Sequence, residues 1–334
     1  MRTGGVAVAF TLASMLLAGC TTNVNSGDTV VFTFTNLPPL GVAVVYEAWV
    51  ELHDDWVSVG KFIVRTDSSV VSADGFKRYG NVSHAAFEKV KDGRDAAAIL
   101  VTIEPGADPS PLPSNHRLMY GVVGGQASRR EATLSQGGVA LPEMRFASGG
   151  FTLITPTDDV NDPKNNTANN ESGLWFYKPA DPRCGSEALP ACTTLNVPEL
   201  PTGWKYEGWI EDTAVTPAKY YAMGKFRAPF GRDEDAASTL TRGKGSLGPP
   251  FPGQDFVNAT LDVPVLKLNS GRYRAFISVE LDPDNNPDPF FLKPLSASLP
   301  AGITTAPFSH DMDSGVAKTF PRGKAEIERE GLLR

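Results

Sequence analysis

Apolar and polar side chains alternate over short stretches of this chain, and Gly or Pro interrupts most of them. Residues 30–35 read Val-Val-Phe-Thr-Phe-Thr and stop at Asn-Leu-Pro-Pro, a β-branched and aromatic run followed by a turn. In the next run Tyr46 and Val50 share one strand face, while Glu47 and Trp49 share the other. This pattern predicts antiparallel β-structure.

Helical periodicity is confined to two short segments. Residues 83–91 have room for two helical turns, and residues 324–333 for a terminal helix. The 334 residues include 32 Gly and 27 Pro, which suits many short strands joined by turns. We therefore expect an all-β fold of two tandem antiparallel β-sandwich-like domains with few short helices.

One set of motifs occurs twice in the same order, which indicates a duplicated domain. The first copy contains Leu37-Pro38, Tyr46-Glu47-Ala48-Trp49-Val50 and Gly60-Lys61-Phe62. The second copy contains Leu200-Pro201, Tyr206-Glu207-Gly208-Trp209-Ile210 and Gly224-Lys225-Phe226. Each copy continues with a hydrophobic strand that ends in a glutamate, Glu104 or Glu280, close to an Asp-Pro turn.

The duplication sets the layout that we expect along the chain. Its segments are 1–19, a signal peptide; 20–29, a tether; 30–156, the first β domain; 157–172, an Asp/Asn-rich linker; 173–308, the second β domain; and 309–334, a C-terminal tail.

The order of the repeated motifs resembles the extracytoplasmic C-terminal domain of the anti-sigma-K factor family. The resemblance extends over roughly residues 30–305 and implies two copies of a sensor-side domain. Members of that family place a cytoplasmic sigma-binding domain and a transmembrane helix before this domain, and this sequence has neither pattern. We therefore expect no direct contact with a cytoplasmic sigma factor.

The first twenty residues predict the compartment. Residues 6–17 are apolar and uncharged, follow Arg2, and are too short to span a hydrocarbon core of about 30 Å. The sequence Leu17-Ala18-Gly19-Cys20 resembles a bacterial lipobox, which implies cleavage before Cys20 and acylation of its thiol. The expected protein is exported and anchored by lipid to the cell envelope, on its periplasmic or cell-surface side. An ordinary signal peptide with a chance cysteine is the alternative.

Net charge and cysteine content indicate which partners and which covalent bonds to expect. A formal net charge of −7 argues against nucleic acid as a partner, because nucleic-acid binding needs a basic face. With Cys20 acylated, Cys184 and Cys192 remain, eight positions apart. An even pair of cysteines in an oxidising compartment predicts a disulfide.

The repeated glutamates are candidates either for structural ion pairs or for catalysis. Each glutamate in the Tyr-Glu-x-Trp motif faces a lysine on the probable partner strand, which predicts a structural cross-strand ion pair in each copy, Glu47 with Lys61 and Glu207 with Lys225. The alternative pairs Glu47 with Glu104, and Glu207 with Glu280, as acid and base of an extracytoplasmic glycan-acting hydrolase. Repetition in both copies favours the structural interpretation, and we expect no catalytic residue.

An oxygen-rich turn in the second copy offers a weak calcium candidate. Asp282, Asp284 and Asn286 have the alternate spacing of a calcium loop, but Pro287 replaces its turn glycine and Lys293 its last carboxylate. A calcium-stabilised surface binding module is the second alternative function. The main expectation is a non-catalytic lipoprotein without cofactor, which binds or senses a protein or small ligand or has a structural role.

Overall fold

The computed structural model describes the greater part of the chain. The described residues are 27–41, 43–126, 129–157, 167–185, 187, 189–234, 248–257, 265–284 and 286–329. Their regular structure is nearly all β-strand, arranged in two large sheets, so the predicted all-β class with two sandwich-like units is confirmed. The predicted signal peptide, Cys20 and most of the tether and the linker lie outside the described residues.

The first sheet contains eleven strands. They are β1 (Asp28–Thr35), β2 (Val44–Leu52), β3 (Asp55–Val64), β4 (Ser69–Ser72), β5 (Arg78–Asn81), β6 (His84–Val90), β7 (Ala98–Pro105), β8 (Arg117–Val122), β9 (Gly124–Gln126), β10 (Arg129–Leu134) and β20 (Arg322–Glu328). Their order is β8-β7-β2-β3-β4-β5-β6-β1-β20-β10-β9. A bridge between Tyr120 and Ser135 joins β8 to the end of β10, which curls the sheet back on itself.

The second sheet contains nine strands. They are β11 (Ser148–Leu153), β12 (Gly173–Trp175), β13 (Leu195–Asn196), β14 (Trp204–Asp212), β15 (Lys219–Phe226), β16 (Gly253–Asp255), β17 (Tyr273–Leu281), β18 (Leu295–Leu299) and β19 (Ser309–Ser314). Their order is β15-β14-β17-β18-β19-β11-β12-β16, and β13 pairs with β11.

Helical structure in the described ranges is short. One α-helix, α1 (Val316–Thr319), lies between β19 and β20. The 3-10 turns are Gly93–Asp95, Thr167–Ser172, Pro182–Gly185, Pro190–Cys192 and Leu268–Ser270. No helix among the described residues is long and apolar enough to cross a membrane.

The strand pairing contains the duplication expected from the sequence. Strands run in the order β8-β7-β2-β3 in the first unit and β18-β17-β14-β15 in the second. Glu47 is paired with Lys61, and Glu207 with Lys225, at the same register position of each hairpin. A β-bulge interrupts both hairpins just before the tryptophan of the motif. The two units therefore share backbone detail as well as sequence motifs.

Two strands cross from one half of the chain to the sheet of the other half. β11 precedes the boundary expected at residue 156, yet it pairs with β19 and β12 of the second sheet. β20 lies in the segment expected to be a tail, yet it pairs with β1 and β10 of the first sheet. The sheets thus divide the chain differently from the predicted layout, because each unit receives a strand from beyond its own sequence range.

The described parts of both segments that have helical patterns form strands instead. Residues 83–91 supply β6, in which Ala85 and Phe87 alternate into the core, and residues 322–328 supply β20, in which Ala325 and Ile327 do the same. β1 lies between these two strands and pairs with both. Sheet pairing therefore overrides the weak local helix preference.

One large hydrophobic cluster contains buried residues of both units, from Phe32 and Tyr46 to Tyr206 and Ile277. A smaller cluster in the second unit packs Trp175 and Tyr177 against Cys184 and Cys192. These two cysteines form the predicted disulfide, with their Cα atoms 5.3 Å apart.

Candidate functional site

The repeated motif builds a buried polar network on one face of β2 and β7. The Trp49 indole Nε1 donates to Thr102 Oγ1 at 2.9 Å, and the Thr102 hydroxyl donates to Glu104 Oε1. The same Glu104 oxygen accepts the backbone N–H of Ser114, in the loop that follows β7, at 2.9 Å. The motif tryptophan is thus connected through Glu104 to that loop.

The predicted ion pair of the first unit lies beside this network. Glu47 Oε1 accepts the Ser58 hydroxyl at 2.5 Å, and its Oε2 is 3.7 Å from Lys61 Nζ. Lys61 Nζ also donates to the backbone carbonyl of Asp108 at 2.6 Å, in the same loop as Ser114. The ion pair and the tryptophan network therefore hold one loop from two points.

The second unit repeats the arrangement. Trp209 Nε1 donates to Ser278 Oγ at 2.8 Å, and the Ser278 hydroxyl donates to Glu280 Oε1. Glu280 Oε1 accepts the backbone N–H of Phe290 at 2.9 Å. Lys225 Nζ lies 3.9 Å from Glu207 Oε2 and donates to the Asp284 carbonyl at 2.6 Å. These contacts indicate that the network is a property of the repeated fold.

The four repeated glutamates are almost completely buried, which affects the pKa of Glu47 and of Glu280. The exposed fractions of Glu47, Glu104, Glu207 and Glu280 are 3%, 0%, 5% and 1%. Desolvation raises the pKa of Glu47, against the Ser58 hydrogen bond and the Lys61 charge that lower it. Desolvation likewise raises the pKa of Glu280, against hydrogen bonds from Ser278 and Phe290. All four carboxyl groups are enclosed by the protein's own side chains and backbone.

In the candidate calcium loop, the carboxylates of Asp282 and Asp284 contact other groups of the protein. Asp282 Oδ1 is 3.0 Å from Lys205 Nζ, and its Oδ2 is 3.5 Å from the Arg227 guanidinium. Asp284 Oδ1 accepts the backbone N–H of Asn286 at 2.8 Å, as in an Asx turn. In the described part of the chain, the cluster with the spacing of metal ligands is Asp181 with Cys184 and Cys192, whose sulfurs are already joined.

An open groove of about 480 Å³ lies where the two units meet. Leu37 and Pro38 of the first unit's Leu-Pro motif line it together with Phe291 of the second unit. Pro39 and Val82 add apolar surface, and the buried Val64 also lines the groove. Its volume is within the range of small-molecule sites, and its lining mixes polar and apolar side chains.

Hydrogen bonds hold the two sides of the groove together. Asn36 is in the left-handed region, at φ 58°, and its Nδ2 donates to the Ala317 and Phe320 carbonyls at 2.9 and 3.2 Å. The Thr319 hydroxyl in turn accepts the backbone N–H of Lys293 at 3.0 Å. α1 therefore connects the turn after β1 with the loop before β18.

The groove also carries two cationic side chains, Arg65 and Lys318. Both are exposed, and no carboxylate is among the lining residues. Arg65 Nη2 makes one long hydrogen bond, 3.4 Å, to the Gly75 carbonyl. The neighbouring carboxylate of Asp67 accepts the Ser69 N–H at 2.9 Å instead. In the described ranges neither cation has an ion-pair partner within 4.0 Å.

The sequence offered little to reveal this groove. Its lining comes from five segments separated by up to 280 positions of chain, and none contains a known binding motif. The repeated element that lines it is Leu37-Pro38, and this motif by itself predicts only the turn that ends a strand. Comparison with models of protein families, curated proteins and solved structures finds no significant match to this chain.

Proposed function

We propose that the chain is a non-catalytic lipoprotein of the bacterial envelope that binds a small ligand in the groove between its two units. The observation that carries the proposal is the groove itself, which both units line and which hydrogen bonds across the junction hold together. A ligand in this position contacts both units at once. Such a contact suits sensing, as the resemblance to anti-sigma-K extracytoplasmic domains also implies.

Burial of the repeated glutamates supports the non-catalytic part of the proposal. A glycoside hydrolase needs two carboxyl groups on either side of a substrate bond. Here Glu104 and Glu280 instead accept backbone N–H groups and hydroxyls inside the protein. Their presence in both units at matched positions fits a structural role.

The position of the groove fits an anchor at the other end of the first unit. The described chain enters β1 at Asp28, and the groove begins at Asn36, just after β1 ends. An eight-residue strand places these two points roughly 26 Å apart. The tether from a lipid on Cys20 would therefore join the fold at the end of β1 opposite to the groove.

Two measurements on the full-length protein test the proposal. Alkyne-fatty-acid labelling and membrane fractionation in a bacterial host should show acylation that Cys20→Ser removes, with release of the protein from the membrane. Thermal melting against neutral, cationic and anionic small molecules should give stabilising ligands whose effect is lost in Thr66→Trp, which fills the groove. Ala222→Trp, an exposed position outside the lining, is the matched control. The proposal would be contradicted if Cys20→Ser still incorporated the fatty-acid label. It would also be contradicted if ligands raised the melting midpoint of Thr66→Trp as much as that of wild type.

A further inference from the structure

We infer that the ligand of the groove is a small organic anion with an apolar body. The inference rests on the proposed function, since it names the ligand class of the same groove. It depends on two observations, the charge of the lining and its apolar surface.

The lining is basic in a protein that is acidic overall. The chain has a formal net charge of −7, yet Arg65 and Lys318 enter the groove and no carboxylate lines it. Arg65 follows β3, whereas Lys318 belongs to α1, so the two cations come from distant parts of the chain. Neither cation has a carboxylate within 4.0 Å in the described protein, and Asp67 acts on Arg65 only through a longer-range charge interaction, so both cations can still contact a bound anion.

The donor groups are of the kinds that bind a carboxylate or a phosphate. A guanidinium presents N–H groups in a planar fork that binds two oxygens of such an anion, and an ammonium adds a point charge. The hydroxyls of Thr66 and Ser68 also line the groove and make no side-chain hydrogen bond with the described residues. They supply neutral donors beside the charged ones.

The rest of the lining favours a ligand that is more than an inorganic ion. Pro38, Pro39, Val82 and Phe291 present apolar surface next to the cations, whereas Leu37 and Val64 of the lining are buried in the core. Burial of a hydrocarbon or aromatic body against this surface stabilises the complex by roughly 25 cal/mol per Å² of apolar area removed from water. A volume of about 480 Å³ accommodates a ligand of small-molecule size.

Four probes separate the two requirements. They are octanoate, octyl phosphate, octanol and inorganic phosphate, titrated into the full-length protein with calorimetry. We expect the two amphipathic anions to bind at least about tenfold more tightly than octanol, which has the body without the charge. We also expect them to bind more tightly than inorganic phosphate, which has the charge without the body. Added salt should weaken the binding of both anions.

Charge-removal variants assign the effect to the groove. The double variant Arg65→Gln and Lys318→Gln should lose the preference for anions, and its exposed positions leave the fold intact, as the melting midpoint will check. Lys267→Gln removes one exposed cation outside the lining and should bind as wild type does.

Three results would overturn the anion assignment. They are octanol binding as tightly as octanoate, inorganic phosphate binding as tightly as octyl phosphate, and a double variant that keeps the anion preference. None of these results alters the outcome of the Thr66→Trp experiment. A groove that binds neutral ligands would therefore refute the anion class and leave the proposed function standing.

Discussion

The tryptophan of each repeat contributes more than apolar volume. The exposed fractions of Trp49 and Trp209 are 1% and 2%, and each donates its indole N–H to a hydroxyl that in turn bonds to a buried glutamate. A buried hydroxyl that loses its donor leaves the whole chain of hydrogen bonds incomplete. The same hydrogen-bond chain in both units makes it a polar constraint that the fold repeats.

Trp209→Phe should lower the free energy of unfolding by about 1–3 kcal/mol, because Ser278 and Glu280 stay buried with one hydrogen bond fewer. Urea unfolding followed by circular dichroism measures the loss. Trp204→Phe is the matched control, since Trp204 is fully buried and its Nε1 has no hydrogen-bond partner among the described residues. Equal losses in the two variants would show that ring volume, and not the hydrogen bond, matters.

Glu280 should make stability depend on pH in a defined direction. Desolvation raises its pKa in the folded state above the ordinary value of 4.5, so the folded state binds a proton more readily than the unfolded state. Its contribution to stability is therefore complete below pH 4.5 and is lost as the pH rises through the folded-state pKa.

Glu280→Gln should remove this contribution, because the amide stays neutral. We expect the fall in unfolding free energy between about pH 5 and about pH 7 to be smaller in the variant than in wild type. Urea unfolding at both pH values measures the difference, with the exposed Glu88→Gln as control. Parallel pH dependences in wild type and Glu280→Gln would refute the assignment.

At the scale of elements, the exchange of β11 and β20 makes each unit depend on the other half of the chain. β20 pairs with β1 through seven register positions and with β10 through five. Without it, the two neighbouring strands would have unpaired backbone edges, which are open to aggregation. The C-terminal strand therefore completes the unit that begins at the N-terminus.

Removal of residues 322–334 should destabilise the first sheet selectively. Hydrogen exchange read by mass spectrometry should show loss of amide protection in β1 and β10, while β14 and β17 keep more of theirs. Removal of residues 330–334 alone leaves β20 complete and serves as the control. Unchanged protection of β1 in the longer truncation would contradict the observed pairing.

At the scale of the whole molecule, the two units share one continuous hydrophobic cluster as well as exchanged strands. His116 of the first unit lies edge-on to the Trp204 ring of the second, with centroids 5.7 Å apart. The Tyr206 hydroxyl of the second unit donates to the Pro198 carbonyl at 2.8 Å, and its oxygen lies 3.6 Å from the Met144 sulfur. These contacts couple the units in folding.

The coupling predicts a single thermal transition for the full chain. Calorimetric and van't Hoff enthalpies should agree, because neither unit retains its complete sheet when the other unfolds. Tryptophan fluorescence and far-ultraviolet circular dichroism should report the same midpoint. Two resolved transitions would show that the units unfold independently.

Much of this architecture was accessible from the chain alone, because it depends on local pattern and short-range pairing. Alternation of apolar residues predicted the strands, and motif repetition predicted the duplicated hairpins. The facing of Glu47 and Lys61 followed from hairpin register, since cross-strand neighbours are set once the two strands pair. The disulfide followed from two cysteines eight positions apart.

Tertiary structure alone decided which sheet each strand joins and where a ligand site forms. β11 and β20 pair with the edges available to them, and sequence distance does not identify an edge. The burial of Glu104 and Glu280 depends on loops that fold back onto the strands. The groove requires turns and α1, which only the folded chain places side by side. Such long-range contacts produce no periodic pattern in the sequence, because the pattern of a segment reflects its own secondary structure and not the distant segments that it contacts.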